Sequence, residues 1–279
     1  MSGADERTVR LGHGAVLPRL GFGTSPMNDR DAERAVTAAI EAGYRLVDTA
    51  ENYGNEAGVG RAVRASGLPR DELFVTTKFN RRWHGADLVE QALTGSLERL
   101  GLDYVDLLLV HWPNPDQDRY VDAWRGLAGL LEEGRVRAIG MSNFKPTHID
   151  RLLAETGVTP DLNQIQLNPF TTRDTSRQYD AEHGIVTQSW SPLGGRRANV
   201  LHDRTIQGVA ERLGRTPAQV VLRWHLQLGL AVIPKSSDPG RIRSNADVWD
   251  FELGPDDMAA ISGLDQGEGA ATDSDAFGH

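Results

Sequence analysis

The stretch GYRLVDTAENYGNE, residues 43–56, contains a predicted change from strand to helix: a short apolar strand ends at an aspartate, and a loop then leads into a helix. Asp48 ends the strand, and Tyr53 follows five residues later in the loop. Strand-to-helix units of this kind, when repeated, predict parallel strands joined by crossover helices. The stretch raises the question of why an acid and a tyrosine stand together at such a junction.

The same alternation runs along the chain on both sides of this unit. Amphipathic segments at 31–43, 87–101, 121–134 and 216–229 are predicted as helices, and several end in glycine at the C-cap. The predicted strands between such segments are 20–23, 45–48, 73–78, 105–110, 136–141, 162–167, 185–190 and 230–234.

Eight such units predict an α/β fold, a (β/α)8 TIM barrel. TVRL and AVLP flank a glycine turn at 12–14 and predict an N-terminal β-hairpin. Because barrels routinely hold a chain of this length as one unit, we expect a single domain over residues 1–279. The glycine-rich, acidic tail 265–279 is predicted to be a mobile C-terminal substrate loop over the barrel mouth.

Composition excludes several function classes. The formal charge of −9 argues against a nucleic-acid partner, and no apolar run approaches the length of a membrane span. The absence of cysteine removes disulfides and thiolate chemistry, and the N-terminus lacks the apolar core of a secretory signal. We therefore expect a cytoplasmic protein that acts on a small molecule.

Lysine is rare enough to make each one informative. Of the thirty basic residues, three are lysine, namely Lys78, Lys145 and Lys235, and the other twenty-seven are arginine. Lysine is a compact point charge that suits a tight site, whereas arginine is planar and larger. At least one of these positions is therefore expected to require lysine.

Polar residues cluster where the predicted strands end, which is where active sites lie in this fold. They are Asp48, Tyr53, Lys78, His111, Ser142, Asn143, Gln164, Asn168, Trp190 and Ser191. A catalytic tyrosine needs a nearby cation because its ordinary pKa is about 10. Lys78 can supply that cation with Asp48 as its anchor, and His111 can orient a carbonyl. The set predicts a site that protonates an oxyanion.

Two other interpretations apply to the same residues. Each residue alone is more often structural, as a buried ion pair, a packed tyrosine or a hydrogen-bonded histidine, but four of them converge on one mouth. Asp48, Glu51 and His111 would also suit a metal-dependent hydrolase. The neighbouring strands offer lysine and neutral amides, which are poor ligands for a catalytic metal ion, so we expect no metal.

From Thr8 to Leu264 the chain resembles the aldo-keto reductases in eight motifs and in their order. The motifs are LGFGT, GYRLVDTAENYGNE, VTTK, LLLVHWP, IGMSNF, NQIQLNP, QSWSPLG and IPKSSDPGRIRSN. The resemblance implies a barrel reductase that uses a nicotinamide cofactor without a Rossmann domain. It implies a catalytic tetrad in which Tyr53 gives a proton to the carbonyl oxygen, Lys78 lowers the pKa of Tyr53, Asp48 holds Lys78, and His111 completes the set.

The resemblance also implies the cofactor contacts. NADPH is the expected cofactor, with NADH as the alternative, because Asp238 would repel the 2′-phosphate unless it points to solvent or caps the helix at Pro239. Lys145 is expected to have no special role. The implied cofactor residues are Gly23, Thr24, Ser142, Asn143, Gln164, Trp190, Ser191, Leu193, Gly194, Lys235, Ser236, Arg241 and Asn245.

The substrate pocket departs from the family pattern. Ser25, Asn80, Trp83 and Trp112 are its predicted residues, and the first two replace larger side chains, which predicts a roomier or more polar pocket. The expected activity is NADPH-dependent reduction of aldehydes and ketones by a monomer. Two alternatives are a cofactor-binding regulatory protein with little turnover and an isomerase or lyase, which would leave the cofactor residues unexplained.

Overall fold

The computed structural model describes residues 6–195 and 199–279. The strands are β1 (Thr8–Arg10), β2 (Val16–Pro18), β3 (Phe22–Gly23), β4 (Leu46–Asp48), β5 (Phe74–Phe79), β6 (Leu107–Val110), β7 (Ala138–Ser142), β8 (Leu162–Gln166), β9 (Val186–Trp190) and β10 (Ala231–Val232). The helices are α1 (Asp29–Glu41), α2 (Glu56–Ala65), α3 (Val89–Leu100), α4 (Tyr120–Glu132), α5 (Pro146–Thr156), α6 (Asp174–Glu182), α7 (Arg204–Leu213), α8 (Pro217–Gln227), α9 (Pro239–Ala246) and α10 (Pro255–Ser262).

Strands β3 to β10 form one parallel sheet in chain order, and the sheet closes on itself. Leu20 pairs with Val232 in a parallel bridge. The backbone N–H of Gly21 donates to the Val232 carbonyl at 2.8 Å, and the Val232 N–H donates to the Arg19 carbonyl at 2.7 Å. Helices follow the strands along the chain, so the predicted (β/α)8 TIM barrel is confirmed.

Strand alternation explains why polar groups gather inside the barrel at one end. Leu46 and Phe74 belong to the buried cluster of the barrel interior, whereas Val47 and Val75 pack in the cluster shared with the helices. Because side chains alternate between the faces of a strand, the residues two and four positions after these interior residues also point inward. They are Asp48, at the end of β4, and Lys78, near the end of β5.

The predicted hairpin covers the opposite end of the barrel. Val9 pairs with Leu17 in an antiparallel register between β1 and β2. Leu17 is fully buried, and Leu11 is nearly so; both belong to the interior cluster that contains Leu46. With one end filled by apolar side chains, the polar end is the barrel's accessible mouth.

Local capping sets the helix limits. Thr216 accepts a hydrogen bond from the Gln219 N–H, and the Gln219 side chain accepts one from the Thr216 N–H, which is the capping box at the start of α8. Gly101 follows α3 with a φ of 62°, in the left-handed region that favours glycine at helix ends. The predicted helices 87–101 and 216–229 therefore run past the observed ends, because their last residues form the caps.

The acidic tail lies across the barrel mouth. The Gln266 N–H donates to the Phe170 carbonyl at 3.0 Å, and the Thr272 N–H donates to the Gln166 side chain at 2.9 Å. Phe277 then packs against Trp112, with ring centroids 4.9 Å apart. Among the described residues, no helix has the length and apolarity needed to cross a membrane.

Candidate active site

Tyr53 lies in a short 3-10 turn, Glu51–Tyr53, that one buried amide fastens to the barrel. The Asn55 Nδ2 donates to the carbonyl oxygens of Thr24 and Met27 at 3.2 and 3.0 Å, and its Oδ1 accepts from the Thr49 hydroxyl at 2.7 Å. The loop after β4 is thereby tied to the loop after β3. Asn55 is not among the site residues predicted from the sequence, although its place directly after Tyr53 and Gly54 is typical of a turn residue.

A buried ion pair lies behind the tyrosine. The Lys78 Nζ donates to Asp48 Oδ1 at 2.6 Å, to the Thr49 carbonyl at 2.9 Å and towards the Tyr53 hydroxyl at 3.5 Å. Gln164 Nε2 donates to the other Asp48 oxygen at 2.8 Å. Burial alone would lower the pKa of Lys78, but Asp48 and Tyr53 raise it above its ordinary value. Lys78 therefore stays a cation beside Tyr53.

The pKa of Tyr53 moves in the direction opposite to the expectation from sequence. Burial raises the pKa of Tyr53, Lys78 lowers it, Asp48 raises it, and a hydrogen bond with Ser25 lowers it, with a net upward shift. Lys78 acts as expected but does not outweigh burial of the phenol and the neighbouring Asp48 charge. Tyr53 consequently holds its proton at neutral pH.

His111 is neutral at the same mouth. Burial, Lys78 and His279 lower the pKa of His111 well below its ordinary value. Its ring lies edge-on to Tyr53, with ring centroids 5.7 Å apart. Its Nδ1 has no hydrogen-bond partner among the described residues. A neutral imidazole carries one N–H donor and one acceptor, so His111 can donate a hydrogen bond to a substrate oxygen without transferring a charge.

These pKa directions predict a flat pH profile for a reaction that needs protonated Tyr53 and neutral His111. The raised pKa of Tyr53 keeps its proton through neutral pH, and the lowered pKa of His111 removes any inflection near the ordinary histidine value of about 6.5. For any reaction in which Tyr53 donates its proton, we expect kcat/KM to fall only at alkaline pH, above about 10. A rate series over pH 5–11 measures this, and an inflection near pH 6.5 in both the wild type and His279→Phe would contradict it.

A cavity of about 860 Å³ is lined by this group and by two cations. Tyr53 and His111 lie on its wall, and Lys235 and Arg241 lie there too. The other sequence-predicted residues on the lining are Gly23, Thr24, Ser25, Asp48, Trp112, Ser142, Asn143, Gln164, Trp190, Ser191 and Leu193. The structure thus brings together most of the predicted catalytic and cofactor residues.

Hydrogen bonds fix the neutral side chains of the lining. The Trp190 Nε1 donates to Asn143 Oδ1 at 2.9 Å, and Asn143 Nδ2 donates to the His111 carbonyl and the Ser142 hydroxyl at 3.1 and 2.9 Å. Gln164 Nε2 donates to both Asp48 and Gln188, so its amide oxygen is the atom left for a ligand's N–H. The oxygens of Ser142, Asn143 and Gln164 can each still accept a hydrogen bond, which suits the NH2 group of a carboxamide.

The two cations of the lining have no ion-pair partner among the described residues. Neither Lys235 nor Arg241 forms an ion pair with any residue in the ranges 6–195 and 199–279. Asp238, whose charge left the cofactor choice open, caps α9 by accepting from the Arg241 N–H at 2.8 Å. Its N–H donates to the Ser236 hydroxyl at 3.1 Å. The cap satisfies the condition under which Asp238 is compatible with a phosphate.

Some predicted residues lie outside this cavity lining. Ser236 and Asn245 are buried beside it, and Gly194 borders an adjoining cavity. Asn80 and Trp83, predicted for the substrate pocket, do not line it either. The Trp83 Nε1 donates to both oxygens of Glu51 at 3.0 Å, which holds the indole behind the Tyr53 loop.

His279 belongs to the lining, although no pattern in the sequence pointed to it. Its ring centroid lies 5.0 Å from that of His111. The tail that carries it has no apolar periodicity, so only tertiary contacts determine where it lies.

The chain belongs to the aldo/keto reductase family, whose model matches residues 17–266. It is 50% identical over 260 residues to 2,5-diketo-D-gluconic acid reductase B of Corynebacterium sp., covering 93% of this chain and 94% of that protein. It is 46% identical over 276 residues to methylglyoxal reductase DkgA of Salmonella typhimurium, covering 99% of each. Among solved structures, a mutant of Gox0644 in complex with NADPH matches with a TM-score of 0.92 at 39% identity, covering 99% of this chain and 100% of that one.

Proposed function

We propose that the protein reduces aldehydes and ketones to alcohols with NADPH, using Tyr53 as the general acid. The main observation in support is the Tyr53 hydroxyl at the end of the buried Asp48–Lys78 pair, next to His111, in a cavity that Lys235 and Arg241 also line. A proton donor and a dinucleotide-sized cavity in one place suit coupled proton and hydride transfer.

The residues present fit the proposed cofactor. Ser142, Asn143 and the free oxygen of Gln164 offer polar atoms for a carboxamide, and the partly exposed Trp190 ring offers a flat face for a nicotinamide. Lys235 and Arg241 offer unpaired positive charge for a 2′-phosphate. When bound, NADPH supplies the hydride that reduces the carbonyl carbon.

The chain's own residues donate the proton and stabilise the charge that its transfer leaves behind. The phenol proton of Tyr53 passes to the carbonyl oxygen as negative charge develops there, and it stays there because an alcohol is a much weaker acid than a phenol. Lys78 stabilises the phenolate that remains, and Asp48 holds Lys78 in place. His111 donates a hydrogen bond to the same oxygen and so orients the carbonyl.

We further propose small, oxygen-rich carbonyl compounds as substrates, with methylglyoxal and 2,5-diketo-D-gluconate as the first to try because relatives carry those names. The polar lining of the cavity supports this, because Ser25, Asn52 and His279 place polar atoms on its wall. We also propose that the protein works as a monomer in the cytoplasm and that the tail 265–279 moves to admit substrate.

The cofactor assignment is tested by removing each cation separately. Lys235→Met and Arg241→Met are each expected to raise the KM for NADPH about 10- to 100-fold and to change that for NADH little, because a hydrogen bond to a charged group contributes about 1.5–3 kcal/mol. Arg243→Met, an exposed arginine on the same helix, is the matched control. Initial rates of NADPH and NADH oxidation with methylglyoxal measure the effect, and equal losses for both cofactors would contradict the assignment.

A further inference from the structure

The end of the tail reaches the centre of the proposed site. The His279 ring lies 5.0 Å from that of His111 and 6.0 Å from that of Trp112, measured between centroids. The Arg81 N–H donates to the His279 carbonyl at 3.2 Å. Phe277 packs edge-on against Trp112 just before it. A second imidazole therefore faces the space where His111 and Tyr53 meet a substrate carbonyl.

An ionic clamp holds the tail upstream of this imidazole. The Lys145 Nζ donates to Asp273 and to Asp275, at 2.6 Å each, and His148 Nε2 lies 2.9 Å from a second oxygen of Asp275. Lys145 and His148 lie at the start of α5, where the helix dipole also favours negative charge. Lys145, for which the sequence predicted no special role, forms two of the contacts between the tail and the rest of the barrel.

We propose that His279 is a specificity-determining residue, whose imidazole hydrogen-bonds an oxygen on the carbon next to the reacting carbonyl, and that Lys145 is the positioning residue that keeps it there. The proposal rests on the reductase function proposed above. Two observations support it: His279 lines the same cavity as Tyr53, and its ring centroid lies 5.0 Å from that of His111.

The chemistry of the ring sets the direction of the preference. Partial desolvation lowers the pKa of the still exposed His279, so at neutral pH the ring carries one donor and one acceptor. A hydroxyl can use either of them and a keto oxygen can accept from the donor, whereas a methyl group in the same place would leave both without a partner. Oxygen-bearing aldehydes are therefore expected to be favoured over hydrocarbon aldehydes of the same size.

A matched pair of substrates tests this. For 2-hydroxypropanal and 2-methylpropanal, which differ by a hydroxyl in place of a methyl, we expect His279→Phe to lower the ratio of kcat/KM values about 3- to 10-fold, mostly through KM. Phenylalanine keeps the ring and removes the hydrogen bond. His279→Asn, which retains an amide donor and acceptor, is expected to restore part of the ratio.

The positioning role of Lys145 has its own control. Lys145→Met should lower the same ratio in the same direction and leave NADPH affinity unchanged. Arg125→Met also removes two ion pairs, to Asp122 and Glu155, but these lie away from the tail and the ratio should stay constant.

The outcomes distinguish a failure of the proposed role of His279 from a failure of the proposed reductase function. If the wild type oxidises NADPH with both aldehydes and His279→Phe leaves their ratio unchanged, the role of His279 is overturned while the reductase function stands. If the wild type turns over neither aldehyde nor methylglyoxal, both proposals are overturned.

Discussion

Replacing Tyr53 with phenylalanine is expected to lower kcat for carbonyl reduction about 100- to 10,000-fold, the usual contribution of a positioned general acid. The substitution removes only the hydroxyl whose proton is transferred. Phenylalanine keeps the ring that packs edge-on against His111. Lys78 keeps its stronger bonds to Asp48 and Thr49, because the contact it loses is the longest of the three, at 3.5 Å. Fold and cofactor site should therefore survive.

Three measurements on Tyr53→Phe make this result specific. Single-turnover reduction of methylglyoxal reports the chemical step, quenching of protein fluorescence reports NADPH affinity, and thermal unfolding reports stability. We expect a loss in the first alone. A variant that reduces methylglyoxal at more than about a tenth of the wild-type rate would show that another group supplies the proton.

Lys78→Met is expected to abolish reduction and also to destabilise the protein by about 3–5 kcal/mol. The lysine is fully buried, and its ammonium is the cation that balances Asp48 at 2.6 Å. Without it, Asp48 remains buried with only the Gln164 amide and nearby dipoles to compensate its charge. Denaturant unfolding of the wild type and variant measures the difference in free energy.

A double variant separates the structural effect of this pair from its catalytic one. Asp48→Asn combined with Lys78→Met leaves no unpaired buried charge, so most of the lost stability should return. Reduction should not return, because Tyr53 still lacks the cation that stabilises its phenolate. A double variant that regains both stability and turnover would mean that the pair serves only to hold the barrel together.

Much of the fold and the reactive group could be predicted because short-range patterns encode them. Alternation along β4 places Leu46 and Asp48 on the same inward face, and β5 does the same for Phe74 and Lys78. In a barrel these neighbouring strand ends are in register, since Asp48 pairs with Thr76. The proximity of Asp48 and Lys78 follows from these two patterns alone.

The remaining features depend on tertiary contacts that short sequence patterns do not predict. The net rise in the pKa of Tyr53 depends on how burial and Asp48 balance Lys78, which requires the three-dimensional environment. Trp83 lies outside the cavity lining because Glu51, thirty-two residues earlier in the chain, accepts its N–H. The position of the tail depends on the ion pairs of Lys145 with Asp273 and Asp275.

The reductase function can be tested by following the hydrogen that reaches the carbonyl carbon. The purified protein would be incubated with methylglyoxal and NADPH deuterated at both C4 positions, and the alcohol analysed by mass spectrometry. We predict one deuterium on the new carbinol carbon for each NADPH oxidised, and almost no product with Tyr53→Phe. Tight NADPH binding without a deuterated alcohol, from methylglyoxal or any other carbonyl tried, would contradict the reductase function and favour a cofactor-binding protein.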